Sequence, residues 1–273
     1  MRPTPSAGAA GERALSAAEM EHFRRAGWVG RYPLLTPDDV ARVHRLRDRV
    51  VGHFTTPEQL AQATAPDAFE RRPWFKSLHA HVPVFYDIAS HPAIVGRVAS
   101  LLGPDVMVWG QVTILSWPGK RHRWHVDVEN LRWPGVNAYI GLTDIDAHSG
   151  LKVVEGTHVI GRPPQAFGVD KDDDLALAAA RRQVPDSRIT TVPLSPGEFF
   201  LFDGLLWHGS HNTGERERLA MIVHYARPDA EVRVPLNFDE PIQWHPALPP
   251  CALVRGEDRH GVNRLVDRPG AAP

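Results

Sequence analysis

From Asp105 onward the chain is a succession of short β-rich runs: VMVWGQVTILSW, VNAYIGLTDI, LKVVEG, ITTVPL, GEFFLFDG and LAMIVHYARP, punctuated by Gly, Pro and Asn. Strands at this spacing build a β-sandwich or barrel, whereas a βαβ chain would place a helix between successive runs. No G-x-G-x-x-G or G-x-x-x-x-G-K-[ST] follows any run, which weakens nucleotide-binding readings. There is no internal repeat. One stretch interrupts the pattern: residues 163–188 combine prolines, an acidic run from Asp170 to Asp174 and an Ala-Leu segment ending in Arg181-Arg182. A connection of that length is expected to be a lid or a solvated excursion. As a lid, its acids would favour a cationic substrate.

Upstream the texture is helical. Ser16 followed by Glu19 is a capping box, and Gly27 stands where that helix would stop. Thr36-Pro37-Asp38-Asp39 repeats the start signal, with Thr36 as N-cap and proline in the first turn. Val40, Val43, Leu46 and Val50 then recur at helical spacing. A third helix is expected from Pro92 to Leu102, ended by Gly103-Pro104, while 53–73 reads as a loop with a helical piece. The expected organisation is a disordered lead-in (1–14) and a single domain (15–273). That domain has a helical part (15–104), a β core (105–228) and a C-terminal extension (229–273).

Composition narrows the function. The 31 basic and 32 acidic side chains nearly cancel, so there is no basic field for nucleic acid. No apolar run approaches the roughly 20 residues that span a bilayer. The first residues lack the apolar stretch of a secretory signal, which points to a cytoplasmic protein. A small molecule is the expected partner of a monomer or homodimer. With one cysteine, Cys251, neither a disulfide framework nor a thiolate zinc site can be built. Any metal must be held by oxygen and by nitrogen from the 15 histidines.

His125 and Asp127 lie two apart, so on a strand they share a face and could share an ion. With 15 His and 19 Asp such a pair arises about once by chance, and alone it means little. The order of parts adds specificity. An apolar strand ends at Trp207-His208-Gly209-Ser210, and ten residues after His208 comes Arg218, opening the next apolar strand. Two imidazoles and one carboxylate on one face of an octahedral ion leave three positions open, the facial triad of non-heme Fe(II) oxygenases. Those positions admit a chelating keto acid together with O2, and an arginine on the apolar strand would grip the keto acid's far carboxylate.

With WHVDVEN around His125, SGLKVVEGTH from Ser149 to His158 and LFDGLLWHGSHNTGERER from Leu201 to Arg218, the chain resembles the phytanoyl-CoA dioxygenase family of Fe(II)/2-oxoglutarate oxygenases, which includes the ectoine hydroxylases. The resemblance runs from about Lys76 to Tyr225. It implies a mainly β fold with flanking helices, a double-stranded β-helix or cupin-like jelly roll. It implies His125, Asp127 and His208 as catalytic iron ligands and Arg218 as the 2-oxoglutarate clamp. Ser210, Tyr139, Thr113 and Lys76 match further cosubstrate positions, and Gln111 matches a glutamine near substrate in the ectoine branch. The expected activity is hydroxylation, or a related oxidation, of an unactivated C–H bond, consuming O2 and 2-oxoglutarate. A carboxylate at 127 favours this over halogenation. Glu155 stands where the family usually has proline, and Gly150-Leu151-Lys152 replaces Gly-Cys-Leu. No basic patch supports carrying over an acyl-CoA substrate. The 27 Arg against 4 Lys suit a high-GC bacterium and a secondary-metabolite substrate.

Trp124, Trp133 and Trp207 offer themselves as a substrate box, although tryptophan is more often core. His79, His81, His122 and His211 are read as structural or exposed rather than as ligands, and Cys251 as inert. The competing assignment is a cupin-like metal hydrolase or isomerase that uses no 2-oxoglutarate. Arg218 separates the two, since such an enzyme has no need of a buried carboxylate clamp.

Overall fold

A computed structural model describes residues 13–54 (47–54 by backbone alone), 78–127, 135–232 and 249–270. Within them ten strands form two antiparallel sheets. The larger has the order β1 (Trp28–Pro33), β7 (Glu198–Asp203), β4 (Gly135–Gly141), β9 (Arg218–Ala226), β2 (Val106–Ser116) and β10 (Ala252–Arg255). The smaller has the order β3 (Arg121–His125), β8 (His208–His211), β5 (Leu151–Val154) and β6 (Ile189–Val192). No ladder joins one sheet to the other among the described residues, so the jelly roll is an open sandwich and not a closed barrel. The six runs read from the sequence are β2, β4, β5, β6, β7 and β9.

β9 shows how the layers are set. Its nine residues are all buried, because helices cover one face of the large sheet and the small sheet covers the other. Such a strand reads as a continuous apolar run instead of alternating. Leu219, Met221, Val223 and Tyr225 face outward, joining Val136, Ala138, Ile140, Phe199 and Leu201 beneath the helices. Ala220 and Ile222 face inward, with Val112, Tyr139, Phe200 and Phe202 opposite Leu151, Val153 and Val192 of the small sheet.

The helices begin and end where the capping residues stand. In α1 (Ala17–Ala26) Ser16 Oγ accepts from the Glu19 amide while Glu19 accepts from the Ser16 amide, and Gly27 closes the helix at φ 81°. A Cβ at Gly27 would lie 2.6 Å from His158 Nδ1 and 2.7 Å from Leu206 Cδ1, so this turn into β1 needs glycine for space as well as backbone. Thr36 and Asp39 bond reciprocally at the start of α2 (Pro37–Phe54). α3 (Leu78–His81), α4 (Pro83–Ala89) and α5 (Pro92–Leu102) follow, with Phe85, Ile88, Ile94, Val95 and Val98 laid on the outer face of the large sheet.

Two expectations change. The jelly roll is not confined to 105–228, since β1 comes from the helical part and β10 from the C-terminal extension, and these are the two edges of the large sheet. The segment 163–188 carries a docked helix, α6 (Asp173–Arg181), on the outer face of the small sheet, where Ala176, Ala179 and Ala180 pack on Trp124, Val154 and Trp207. Asp172 caps it through the Leu175 amide, and Asp173 accepts from Lys152 Nζ at 2.6 Å and from Trp124 Nε1 at 3.2 Å. That carboxylate is held by the fold, and α6 lies on the outer face of the small sheet. The lead-in and most of 53–73 lie outside the described residues. Among those described, no helix is long and apolar enough to cross a membrane.

Candidate active site

β3 and β8 are hydrogen-bonded neighbours, and their register sets His125 directly opposite His208. The two rings consequently meet with centroids 4.1 Å apart. Asp127, two residues beyond His125, brings Oδ1 to 3.7 Å from His125 Nε2 and Oδ2 to 3.6 Å from His208 Nε2. One ligand atom from each of the three residues falls within 4.8 Å of the other two.

The ring orientations are predetermined. His125 Nδ1 lies 3.0 Å from the Arg123 carbonyl and His208 Nδ1 lies 2.9 Å from the Leu206 carbonyl. A carbonyl can only accept, so both Nδ1 atoms carry the proton and both Nε2 atoms present a lone pair towards Asp127. This is the arrangement by which an outer hydrogen bond fixes the tautomer of a metal-binding imidazole. Burial holds the His125 imidazole well below its usual pKa, with His208 and His122 adding to the effect, which keeps it in the neutral, ligating form. At Asp127 burial opposes the charge. A proton on His208, His224 or His125 would outweigh it, and the carboxyl lies far below the usual carboxylate range. Two neutral nitrogens and one anionic oxygen, hard enough for a divalent ion and free of thiolate, fit Fe(II).

At the other end of the inner face stands Arg218, 2% exposed. Its Nη1 donates to the Ser149 carbonyl at 2.8 Å and its Nη2 reaches Ser210 Oγ at 3.4 Å. Among the described residues no carboxylate pairs with it, and Nε has no partner. Two further buried donors nearby are also unsatisfied: Tyr139 Oη, and Oγ of Ser116, the residue directly opposite Arg218 on β2. Burial raises the Tyr139 pKa, only partly offset by Arg218, so the phenol stays a donor. Each such group costs about 1–3 kcal/mol if left unmet in the interior. A guanidinium without a carboxylate, its Nε unmet, beside an unmet phenol and hydroxyl calls for a carboxylate from a ligand.

A family model described as phytanoyl-CoA dioxygenase (PhyH) matches residues 23–220. The chain belongs to the phytanoyl-CoA dioxygenase family. An ectoine dioxygenase of Streptomyces coelicolor is 29% identical over 157 residues, 53% of this chain and 51% of that protein. The chain thus matches about half the length of its curated relatives. Among solved structures, CytC3 with Fe(II) and alpha-ketoglutarate is similar at TM-score 0.63 and 17% identity, covering 93% of this chain and 94% of the other. The epimerase SnoN in complex with Fe3+, alpha ketoglutarate and nogalamycin RO is similar at TM-score 0.62 and 18% identity, covering 87% and 98%. At these identities the likeness is one of fold.

Of the residues singled out in this family member's sequence, His125, Asp127, His208, Ser210, Arg218 and Tyr139 converge on the inner face. Gln111 and Thr113 do not. Their cross-strand partners are Val223 and Met221, which point to the helical side, and Gln111 Nε2 donates to the Phe85 carbonyl of α4 at 3.0 Å. The period-2 pleat therefore turns both away from the His125, Asp127 and His208 cluster, to the helical face of the sheet. Trp124 is also turned away: it is core beneath α6, as is Trp207. Lys76 and Trp133 lie outside the described residues.

Three residues were missed, and a fourth, His122, was named but read as structural or exposed. Asn137 donates to Asp127 Oδ2 at 2.7 Å, and its own Oδ1 lies 2.9 Å from His224 Nδ1. His122 meets the His125 ring edge-on at 4.7 Å, and burial, with a contribution from His208, pushes its pKa down to about 3. Ser116 is the third of those missed. For Asn137 and His224 a signal existed: each is a polar residue at even spacing from a site residue (Tyr139, Arg218) on a strand otherwise apolar. Nothing local marks Ser116, whose place depends on register.

Proposed function

We propose that this chain is an Fe(II)- and 2-oxoglutarate-dependent dioxygenase that oxidises an unactivated C–H bond of a small molecule, a bacterial secondary metabolite, releasing succinate and CO2. The observation that carries the reading is Arg218, a buried guanidinium without a carboxylate, on the same inner face as a His-Asp-His cluster. A metal hydrolase or isomerase would use the cluster and leave the arginine without purpose.

His125 and His208 would hold iron through Nε2 and Asp127 through a carboxylate oxygen. When bound, iron with 2-oxoglutarate and O2 supplies the oxidising power for C–H cleavage, at the expense of the keto acid's decarboxylation. The chain's own residues supply position. Ser210 follows His208 by two residues on the same face, a rise of about 7 Å along the strand, which a five-carbon keto diacid can span from ligand cluster to clamp. Arg218 with Ser210, Tyr139 and Ser116 would bind the distal carboxylate, and the packed Val112, Phe202 and Ile222 keep water from the inner face. The fold's likeness to SnoN, solved with nogalamycin RO, supports a secondary metabolite as substrate class.

The test is anaerobic. Fe(II) and 2-oxoglutarate together should give a visible charge-transfer band that neither gives alone, and a succinate-release screen across amino acids, aminoglycosides, polyketides and acyl thioesters should identify a substrate. Iron binding without that band would refute the reading.

A further inference from the structure

The two oxygens of Asp127 are not equivalent. Each lies near one candidate ligand nitrogen, Oδ1 at 3.7 Å from His125 Nε2 and Oδ2 at 3.6 Å from His208 Nε2, but Oδ2 also accepts from Asn137 Nδ2 at 2.7 Å. The amide orientation of Asn137 follows from chemistry: a carboxylate only accepts, so Nδ2 must face Asp127 and Oδ1 must face His224. His224 Nδ1, 2.9 Å from that oxygen, is accordingly the donor. His224 is held in its turn. Its ring stacks on Trp109 at 4.7 Å, and Trp109 is the extra residue of the β-bulge between Val108 and Gly110. Gly110 is the cross-strand partner of His224, and a Cβ there would lie 3.0 Å from His224 Cδ2. The bulge thus seats the imidazole, the imidazole orients the amide, and the amide takes one oxygen of the metal-binding carboxylate. Asn137 is 1% and His224 3% exposed, so no bulk water substitutes for either contact.

We propose that Asn137 and His224 are positioning residues that make Asp127 a one-oxygen ligand. A carboxylate with both oxygens available can chelate a metal and take a position that the keto acid or dioxygen must occupy; an amide held on Oδ2 blocks that mode and keeps three positions open. The inference rests on the metal-centre reading above and deepens it.

Co(II) is the probe, because its visible d–d absorption reports coordination number without turnover. The wild-type chain should bind one Co(II), and Asp127→Ala should abolish this. Asn137→Leu and His224→Leu should each alter the Co(II) spectrum and weaken 2-oxoglutarate binding to the Co(II) protein by about tenfold. His224→Gln, whose amide can still donate to Asn137, should restore both. His224 Nδ1 also lies 3.8 Å from Asp127 Oδ2, but its hydrogen bond is to Asn137, so the double variant Asn137→Leu/His224→Leu should fall well short of the summed single losses. Wild-type spectrum and affinity in the single variants would overturn the relay, as would losses that add in the double variant. Should Asn137→Leu fail to fold, the pair His224→Leu and His224→Gln decides alone, by loss and rescue or by their absence. If the wild-type chain binds no Co(II), the metal-centre reading itself fails, an outcome distinct from failure of the relay.

Discussion

Replacing Arg218 by methionine separates a binding role from a structural one with opposite signs. In the protein without ligands, Arg218 makes one good hydrogen bond, to the Ser149 carbonyl at 2.8 Å, and a longer one of 3.4 Å to Ser210 Oγ. Against these stand a buried charge with no carboxylate and an unmet Nε–H. Removing the arginine would forfeit about 1–2 kcal/mol of hydrogen bonding and recover about 1–3 kcal/mol of unmet desolvation, while methionine fills most of the volume. The two nearly cancel, so the apoprotein should melt within about 4 °C of wild type. The bound state has no such cancellation. A guanidinium–carboxylate fork is worth about 3–5 kcal/mol in a buried site, which is 10²-fold or more in the dissociation constant of 2-oxoglutarate. Anaerobic titration of the Fe(II) protein, read by the charge-transfer band and by calorimetry, measures the second quantity; thermal denaturation measures the first. Arg218→Lys keeps a point charge without the fork and should fall between. Unchanged 2-oxoglutarate affinity in Arg218→Met would refute the clamp. An apoprotein destabilised by more than about 4 kcal/mol would show instead that the arginine holds the fold.

Asp127→Ala should weaken Fe(II) or Co(II) binding by at least about 10²-fold, because it removes the only anion among the three ligands; equilibrium dialysis checks it. Asp173→Ala frees Trp124 Nε1 and Lys152 and should cost about 1–2 kcal/mol in urea denaturation. It should leave 2-oxoglutarate affinity unchanged, because α6 lies on the outer face. His79 is fully buried, donates through Nε2 to the Pro250 carbonyl, and is pushed down to about 4 by burial. The unfolded chain therefore takes up its proton near pH 6.5 while the folded chain resists until about pH 4, so stability falls as pH drops between these values, by about 3 kcal/mol in all. His79→Leu should flatten that part of the urea-midpoint profile between pH 7 and 4, and an unchanged slope would contradict the assignment.

The candidate ligands were legible because two of them are close in the chain: His125 and Asp127 are two apart, although β3 ends at His125 and Asp127 lies just past it, while His208 opens β8 and does not end the apolar strand before it. Arg218 was legible for a related reason, a charge heading an apolar strand. Gln111 and Thr113 were carried over from the family resemblance, which does not say on which face of a strand a residue lies. β2 contains a bulge at Trp109, and an inserted residue reverses the face assigned to everything after it when counted from the strand's start. No residue type in VMVWGQVTILSW announces the bulge, because Trp109 packs as core and Gly110 reads as an ordinary break. The same bulge creates the seat for His224 and so links the strand to Asp127. β1 and β10 were missed because neither presents a continuous apolar run, Gly30 and Arg31 interrupting the first and Arg255 ending the second. The segment that holds α6 was read from its length as a lid or a solvated excursion, yet its alanines at 176, 179 and 180 carry the helical period that docks it. Charge in that segment described its ends, and small apolar residues decided its face. Polar residues inside an apolar strand deserved the opposite weighting: Asn137 in GVNAYIG interrupts a fully buried strand, and an amide is tolerated there only because Asp127 and His224 meet both of its ends.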